Sequence, residues 1–356
     1  MSDLTDRAIS IRKGEELDDQ KVLEFLKASI PGLSGEIEIK QYPSGFSNLT
    51  YSVKVGDREM VLRRPPFGKK AKTAHDMGRE FKVLSALKPY FPYCPQPLVY
   101  TGDEEVMGCP FYVMERIPGI ILRRDLPPEM ELNAKEARTL SENLIKVQHQ
   151  LHSVDFVKAG LADFGKPEGY VKRQVEGWSS RYRDARTPDA PDFEKVMQWL
   201  HDKMPGESGL IGIIHNDFKF DNAVLDPAIP TEIIGILDWE MATLGDPLMD
   251  LGSSLGYWVE KDDPPTMQAI RQMPTHLDGM LTRKEQFDLY CELMGVKTDN
   301  FDFYYCFGLF RLAVIAQQIY YRFYHGQTRD QRFGMLMVPI RELEAASLRV
   351  IEMSDL

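Results

Sequence analysis

Between Ile211 and Asp238 the chain reads IGIIHNDFKFDNAVLDPAIPTEIIGILD, which gathers His215, Asp217, Lys219 and Asn222 into one polar loop and sets Asp238 at the end of a β-branched run. These residue types at this spacing are the minimum equipment for moving a phosphoryl group. That reaction asks for a carboxylate to orient or deprotonate the acceptor hydroxyl, positive charge near the transferring group and oxygen ligands for Mg²⁺. Asp217 can be the carboxylate, Lys219 the local cation, and Asn222 with Asp238 the metal ligands. Taken singly, each is also ordinary turn chemistry, because Asp and Asn side chains bond their own backbone; an Asp/Asn-rich turn between two buried strands is the plainer reading. The joint spacing of the set favours the chemistry.

Two strands are the simplest elements to hold that loop. Ile211, Ile213 and Ile214 precede it, Ile233, Ile234 and Ile236 follow it, and Pro227 and Pro230 break any helix between. Motif by motif, HNDFKFDN resembles the H-x-D-x-K-x-x-N catalytic loop of protein kinases, and ILDWE stands where kinases carry Asp-Phe-Gly. Asn216 in place of the kinase Arg, Trp239-Glu240 in place of Phe-Gly, and GDPLMDLG from Gly245 to Gly252 make the chain similar to the aminoglycoside phosphotransferase and choline kinase superfamily. Within it, the Arg- and Pro-containing stretch after Arg63 resembles kinase-like domains fused to acyl-CoA dehydrogenases.

The resemblance covers Gly45 to Asp250 and implies an α+β, protein-kinase-like two-lobe fold. A β-rich N-lobe is expected over 1–117, with an antiparallel sheet covering the nucleotide. A mostly helical C-lobe is expected over 118–356, holding the catalytic loop and the acceptor pocket. The same resemblance assigns catalysis to Asp217 and Lys219, Mg²⁺ to Asn222 and Asp238, and the role of phosphoryl donor to ATP. His215 is then expected to shape the loop and not to act as the base, and Asp246 and Asp250 to brace it.

The upstream chain supplies the elements such an N-lobe needs. Val22, Leu23, Phe25 and Leu26 give a helix over Asp18 to Ser29, ended by Pro31-Gly32. Strands are expected over Ile37 to Tyr42, Thr50 to Val55 and Glu59 to Arg63, the last two joined at Gly56-Asp57. The turn containing Gly45, Phe46, Ser47 and Asn48 is one that any hairpin would carry; in the superfamily it covers the nucleotide, and its backbone N–H groups approach phosphates. Kinase-like enzymes place a lysine on the third strand, paired with a helix glutamate. Here MVLRR offers Arg63, and the helical stretch His75 to Leu87 offers Glu80. Arginine keeps the charge but presents a longer, planar group, so the exchange is not conservative. A solvated helix charge is the alternative for Glu80. Pro65 to Ala74 reads as a surface loop or as an anion-attracting flap. The segment CPFYVMERIPG reads as a strand; the resemblance implies that it runs into the hinge between lobes, where backbone groups near Glu115 and Ile117 are expected to bond adenine.

Downstream the pattern is helical. Asn133 to Ser153 has apolar residues at helical spacing, Asn133 as a possible cap and Glu136 three residues on. Gly169 to Arg186 and Pro191 to Met204 read as two further helices, and Thr282 to Met353 as a helical, aromatic-rich remainder. His149 and His152 are expected to pack or cap. Most C-terminal aromatics are expected in the core; because the resemblance implies an acceptor pocket built from such C-terminal helices, Trp258, Tyr304, Tyr305, Arg311 and Arg322 are candidates for acceptor contact.

Composition narrows the class. With 356 residues, 43% hydrophobic and 27% charged, the chain is long enough for two lobes and too apolar to be one disordered protein. Cys94, Cys109, Cys291 and Cys306 are too scattered for a zinc site or a disulfide framework. No signal-like segment and no run of 18 apolar residues occurs, so a cytoplasmic protein without a membrane partner is expected. A net charge of -11 disfavours generic nucleic-acid binding, although the stretch from Lys54 to Lys88 is locally basic. The expected partner is a small-molecule hydroxyl acceptor. Aminoglycosides or amino alcohols would want acids and an aromatic box; the basic stretch and the C-terminal arginines favour an anionic, hydroxyacyl-CoA-like acceptor. Too few residues separate Asp238 from GDPLMDLG for an activation segment, so a protein substrate is not expected. The rival is a pseudokinase-type binding module, which Arg63 favours and the intact loop opposes.

Overall fold

A computed structural model describes residues 8–43, 48–66, 76–206, 208–328 and 330–356. Gly45, Phe46 and Ser47, and most of the Pro65 to Ala74 stretch, lie outside the described residues. In chain order the elements are α1 (Asp19–Ser29), β1 (Ile37–Gln41), β2 (Leu49–Val55), β3 (Arg58–Arg64), α2 (Met77–Leu87), β4 (Pro97–Thr101), β5 (Phe111–Glu115), β6 (Ile120–Ile121), α3 (Ala134–His152), α4 (Tyr170–Ala185) and α5 (Glu194–Asp202). They continue with β7 (Gly212–Ile214), β8 (Ala223–Leu225), β9 (Ile233–Ile236), β10 (Thr243–Gly245), α6 (Pro247–Leu255), α7 (Pro265–Ile270), α8 (Arg283–Met294), α9 (Phe301–Tyr324) and α10 (Met337–Met353). The chain forms two compact units. One comprises Met1–Ile121, Val157–Leu161 and Ala223–Ala242, the other Leu122–Phe156, Ala162–Asn222 and Thr243–Leu356.

The first unit is built on an antiparallel sheet of order β1-β2-β3-β5-β4. Alternation along β2 turns Leu49, Tyr51, Val53 and Val55 to one face, where they join Val22 and Leu26 of α1 and Phe111 and Val113 of β5 in a core. Strand β3 is central and is buried continuously from Met60 to Arg64, which carries Arg63 inside. Helix α2 is capped by the Asp76 side chain, which accepts from the Arg79 amide, and buries Met77, Glu80, Val83, Leu84 and Leu87. That spacing is one helical stripe, so Glu80 sits among apolar neighbours and not on the solvated face. A smaller sheet, β6-β8-β9, completes the unit. Its strand β8 was not anticipated: two strands were expected around the polar loop, and Ala223–Leu225 adds a third by pairing with Ile233–Ile236. A three-residue strand holds too few side chains to show alternation.

The second unit is helical. Asn133 caps α3 in a full capping box with Glu136. The long α9 runs through a core that includes Tyr182, Phe193, Leu251, Phe287 and Phe310. Trp258, Tyr304 and Tyr305, considered for acceptor contact, are buried, and the Trp258 indole donates to the Leu281 carbonyl at 2.9 Å. The two-stranded β7-β10 ladder pairs Ile214 with Thr243 and Gly212 with Gly245, which fixes both ends of the polar loop's entry strand. Among the described residues no helix is long and apolar enough to cross a membrane.

Candidate active site

In the second unit the polar loop leaves β7 through His215, which is fully buried, and Asn216, whose backbone is left-handed at φ 65. The side chain of Asp250, in α6, accepts both amides at this turn, from His215 at 3.1 Å and from Asn216 at 2.6 Å. Asp246 caps α6 by accepting from Leu248 at 2.8 Å and takes the Ser208 hydroxyl at 2.7 Å. Phe218 and Phe220 point into the core, so the residues between and beside them turn outward. The Asp217 amide lies 3.3 Å from His215 Nδ1, which accepts it. His215 therefore shapes the loop through its ring.

Asp217, Lys219 and Asn222 come together. Lys219 Nζ is 2.9 and 2.8 Å from the two Asp217 oxygens, and Asn222 Nδ2 donates to Asp217 Oδ2 at 2.8 Å and to its backbone carbonyl at 2.9 Å. With its NH₂ so used, the Asn222 carbonyl oxygen faces no partner among the described residues and fits an oxygen ligand for Mg²⁺. Burial pushes the Asp217 carboxyl up, but the Lys219 ammonium outweighs it and holds the group below the usual aspartate range. Burial likewise opposes the Lys219 charge, while Tyr257 and Asp217 hold it above the usual lysine range. Lys219 Nζ stands 4.4 Å from the centre of the Tyr257 ring. Tyr257 went unremarked in the sequence: it follows Asp250 by seven residues with no motif of its own. Arg311 is buried, with its guanidinium 5.2 Å from the Trp178 ring, and its charge adds to the depression of Asp217.

In the first unit a second cluster forms around Arg63. Its guanidinium is 2.5 Å from Glu80 Oε1, 2.9 Å from Asp238 Oδ1 and 3.7 Å from Glu240 Oε2. The third-strand arginine and the helix glutamate are thus paired. Although burial disfavours its charge, Glu80 and Asp238 hold the Arg63 guanidinium firmly protonated. Arg63 Nε is buried without a hydrogen-bond partner among the described residues. Asp238 has a left-handed backbone at φ 67, which turns the chain out of β9, while the Trp239 indole donates to Ile236 at 2.8 Å and pins the turn. Asp238 Oδ2 has no partner among the described residues and its side chain is 37% exposed, so it too fits a metal ligand. Asn48 donates to Glu240 Oε2 at 2.6 Å, which ties the end of the first hairpin to this cluster. Glu240 was seen only as a departure from Phe-Gly; its position two residues after Asp238 was the available signal.

Glu115 and Ile117 stand apart from that cluster. The Glu115 amide is used by the Gln96 carbonyl at 2.9 Å, and its side chain lies 3.6 Å from Arg58. The Ile117 backbone N–H makes no hydrogen bond among the described residues.

Residues 38–283 match the model of the phosphotransferase enzyme family. The chain is 35% identical over 339 residues to acyl-CoA dehydrogenase family member 10 of Mus musculus, covering 94% of this chain but 31% of that protein. It therefore spans about a third of that relative's length. It is 26% identical to a Ralstonia eutropha protein described as an aminoglycoside phosphotransferase, with TM-score 0.79 and coverage of 95% and 99% of the two chains. Choline kinase of Cryptosporidium parvum shares the fold at TM-score 0.63 and 14% identity, over 94% of this chain and 96% of that one.

Proposed function

We propose that this chain, which belongs to the phosphotransferase enzyme family, is a small-molecule kinase that moves the γ-phosphoryl group of ATP to a hydroxyl of an anionic small molecule, a hydroxyacyl thioester being the reading favoured. The observation that carries this is Asp217: a carboxylate kept ionised in a buried loop by Lys219 and held in place by Asn222. A depressed carboxyl is a weak base, so Asp217 first aligns the acceptor hydroxyl and takes its proton only as bonding to phosphorus develops, which suits a loose transition state. Lys219 supplies positive charge beside the reacting oxygens. Arg63, held by Glu80, takes the phosphate-binding role that a lysine has in kinases. Backbone groups of Glu115 and Ile117 would hold the adenine. By the motif, Asn222 and Asp238 would each offer an oxygen ligand to Mg²⁺, which would supply charge neutralisation to the phosphates.

Two buried or half-buried cations in the second unit, Lys219 and Arg311, lie near one working carboxylate, a balance that supports an anionic acceptor over a polycation such as an aminoglycoside. The kinship with an acyl-CoA dehydrogenase family member supports the thioester form of that acceptor. Against turnover stands one feature: Arg63 already pairs with Asp238, which supports a nucleotide-binding module as the second reading.

The test is ADP release from Mg²⁺·ATP across a panel of hydroxyl compounds including hydroxyacyl-CoA thioesters, on the wild type and on Asp217→Ala. We expect acceptor-dependent release that falls by about 10²-fold or more in the variant. Release by neither protein, with stabilisation by nucleotide intact, would move the assignment to the binding module.

A further inference from the structure

Behind the polar loop lies a buried line of side chains that never reaches solvent. Asp250 is fully buried, and besides the His215 and Asn216 amides its Oδ2 meets His152 Nε2 at 2.9 Å. On the far side of the imidazole, His152 Nδ1 is 2.5 Å from the Tyr290 hydroxyl, and Tyr290 is fully buried in α8. Gln148 Nε2 adds a longer contact to Asp250 at 3.5 Å. Hydrogen-bond inventory fixes the protons. A carboxylate only accepts, so His152 Nε2 carries a hydrogen; Tyr290 has no other partner among the described residues, so its hydroxyl donates to Nδ1. The neutral Nε2–H tautomer satisfies both contacts, which hold the imidazole from both ends.

The loop needs such support. Asn216 holds a left-handed backbone that an L side chain rarely adopts, and only neighbouring structure keeps it there. Two amides donating to one carboxylate define the turn, and that carboxylate also takes a side-chain hydrogen bond from His152 at 2.9 Å.

We propose that His152 and Tyr290 are positioning residues for the transfer step: Tyr290 fixes the tautomer of His152, His152 fixes the carboxylate of Asp250, and Asp250 holds the turn that presents Asp217. The line joins α8, α3 and α6 to the loop, and it rests on the reading of Asp217 as catalytic. Neither residue touches the reacting atoms. A shift of the turn by a fraction of an ångström would lower the rate without changing how the nucleotide is held.

The experiment uses Tyr290→Phe, which keeps the ring and removes one hydroxyl. Slow Mg²⁺·ATP hydrolysis, with water as the acceptor, is measured at a temperature where the variant is folded, alongside amide hydrogen exchange at His215 and Asn216. We expect kcat to fall about tenfold or more with KM for ATP within about twofold, and exchange at those two amides to accelerate. An unchanged kcat accompanied only by a lower Tm would reduce the pair to packing and overturn the proposal. Where the wild type shows no Asp217-dependent hydrolysis with water, the kinase reading is decided by the acceptor panel, and the exchange measurement alone decides whether the line braces the turn. Should Tyr290→Phe not fold, the ring ¹⁵N spectrum of His152 in the wild type decides: a proton on Nε2 with an accepting Nδ1 is expected, and a proton on Nδ1 alone overturns the assignment.

Discussion

Lys219 shows how one side chain is given its direction. Two of its three N–H bonds are spent on Asp217, and its remaining face lies against the Tyr257 ring at 4.4 Å. A cation over an aromatic face in a desolvated site is worth up to about 2 kcal/mol, against about 0.5–1 kcal/mol at an exposed one. Tyr257→Leu removes that face and should lower kcat/KM for ATP turnover about tenfold, whereas Tyr257→Phe keeps it and should stay within a few-fold. Steady-state kinetics on the two variants separate ring from hydroxyl; equal losses would assign the effect to the hydroxyl beside Asp217. The grouping of the loop was legible because Asp217, Lys219 and Asn222 are near neighbours in the chain, and local spacing survives folding. Tyr257 was not legible, and neither was the link between His152 and Tyr290, which are 138 residues apart. Contacts of that kind are made by packing helices, and nothing in the local sequence records them.

Elements were legible in proportion to their length and their caps. Asn133 with Glu136 announced α3, and the Gly56-Asp57 turn announced the β2-β3 hairpin, because a cap or a turn is written in a few neighbouring residues. Three-residue β8 was missed for want of such a signal. Equally silent was the crossing of α6 and α9, which depends on absent side chains. A Cβ added at Gly256 would come within 2.6 Å of the Gly308 backbone, and one at Gly308 would overlap the Gly252 carbonyl. Backbone on both sides leaves no flexible end to yield. Gly308→Ala should therefore cost about 1–3 kcal/mol or more, the range for overpacking, because the two helices must separate. Helix α6 carries Asp250, so this variant should lose activity together with stability. Thermal unfolding beside kinetics checks it; a stable, fully active Gly308→Ala would show that the helices part without moving Asp250.

At the scale of the whole molecule, charge sets the condition for binding a nucleotide. The chain carries -11, and the Arg63 cluster places one guanidinium among Glu80, Asp238 and Glu240. A polyanionic nucleotide brought there alone meets more carboxylate than cation, at distances too short for salt to screen fully. A divalent ion would reverse the balance if Asp238 is its ligand, as proposed, because that carboxylate would then cease to oppose the phosphates. Ligand that binds only the folded chain stabilises it by mass action, by about 2.7 kcal/mol at a hundredfold excess over Kd. ATP should therefore raise Tm in the presence of Mg²⁺ and scarcely at all in excess EDTA, and Asp238→Asn should shrink the Mg²⁺-dependent part of the shift. Thermal unfolding in the four combinations of protein and metal measures this directly. Equal stabilisation of both proteins with and without Mg²⁺ would mean that Arg63 alone carries the phosphates, and would remove Asp238 from the metal site.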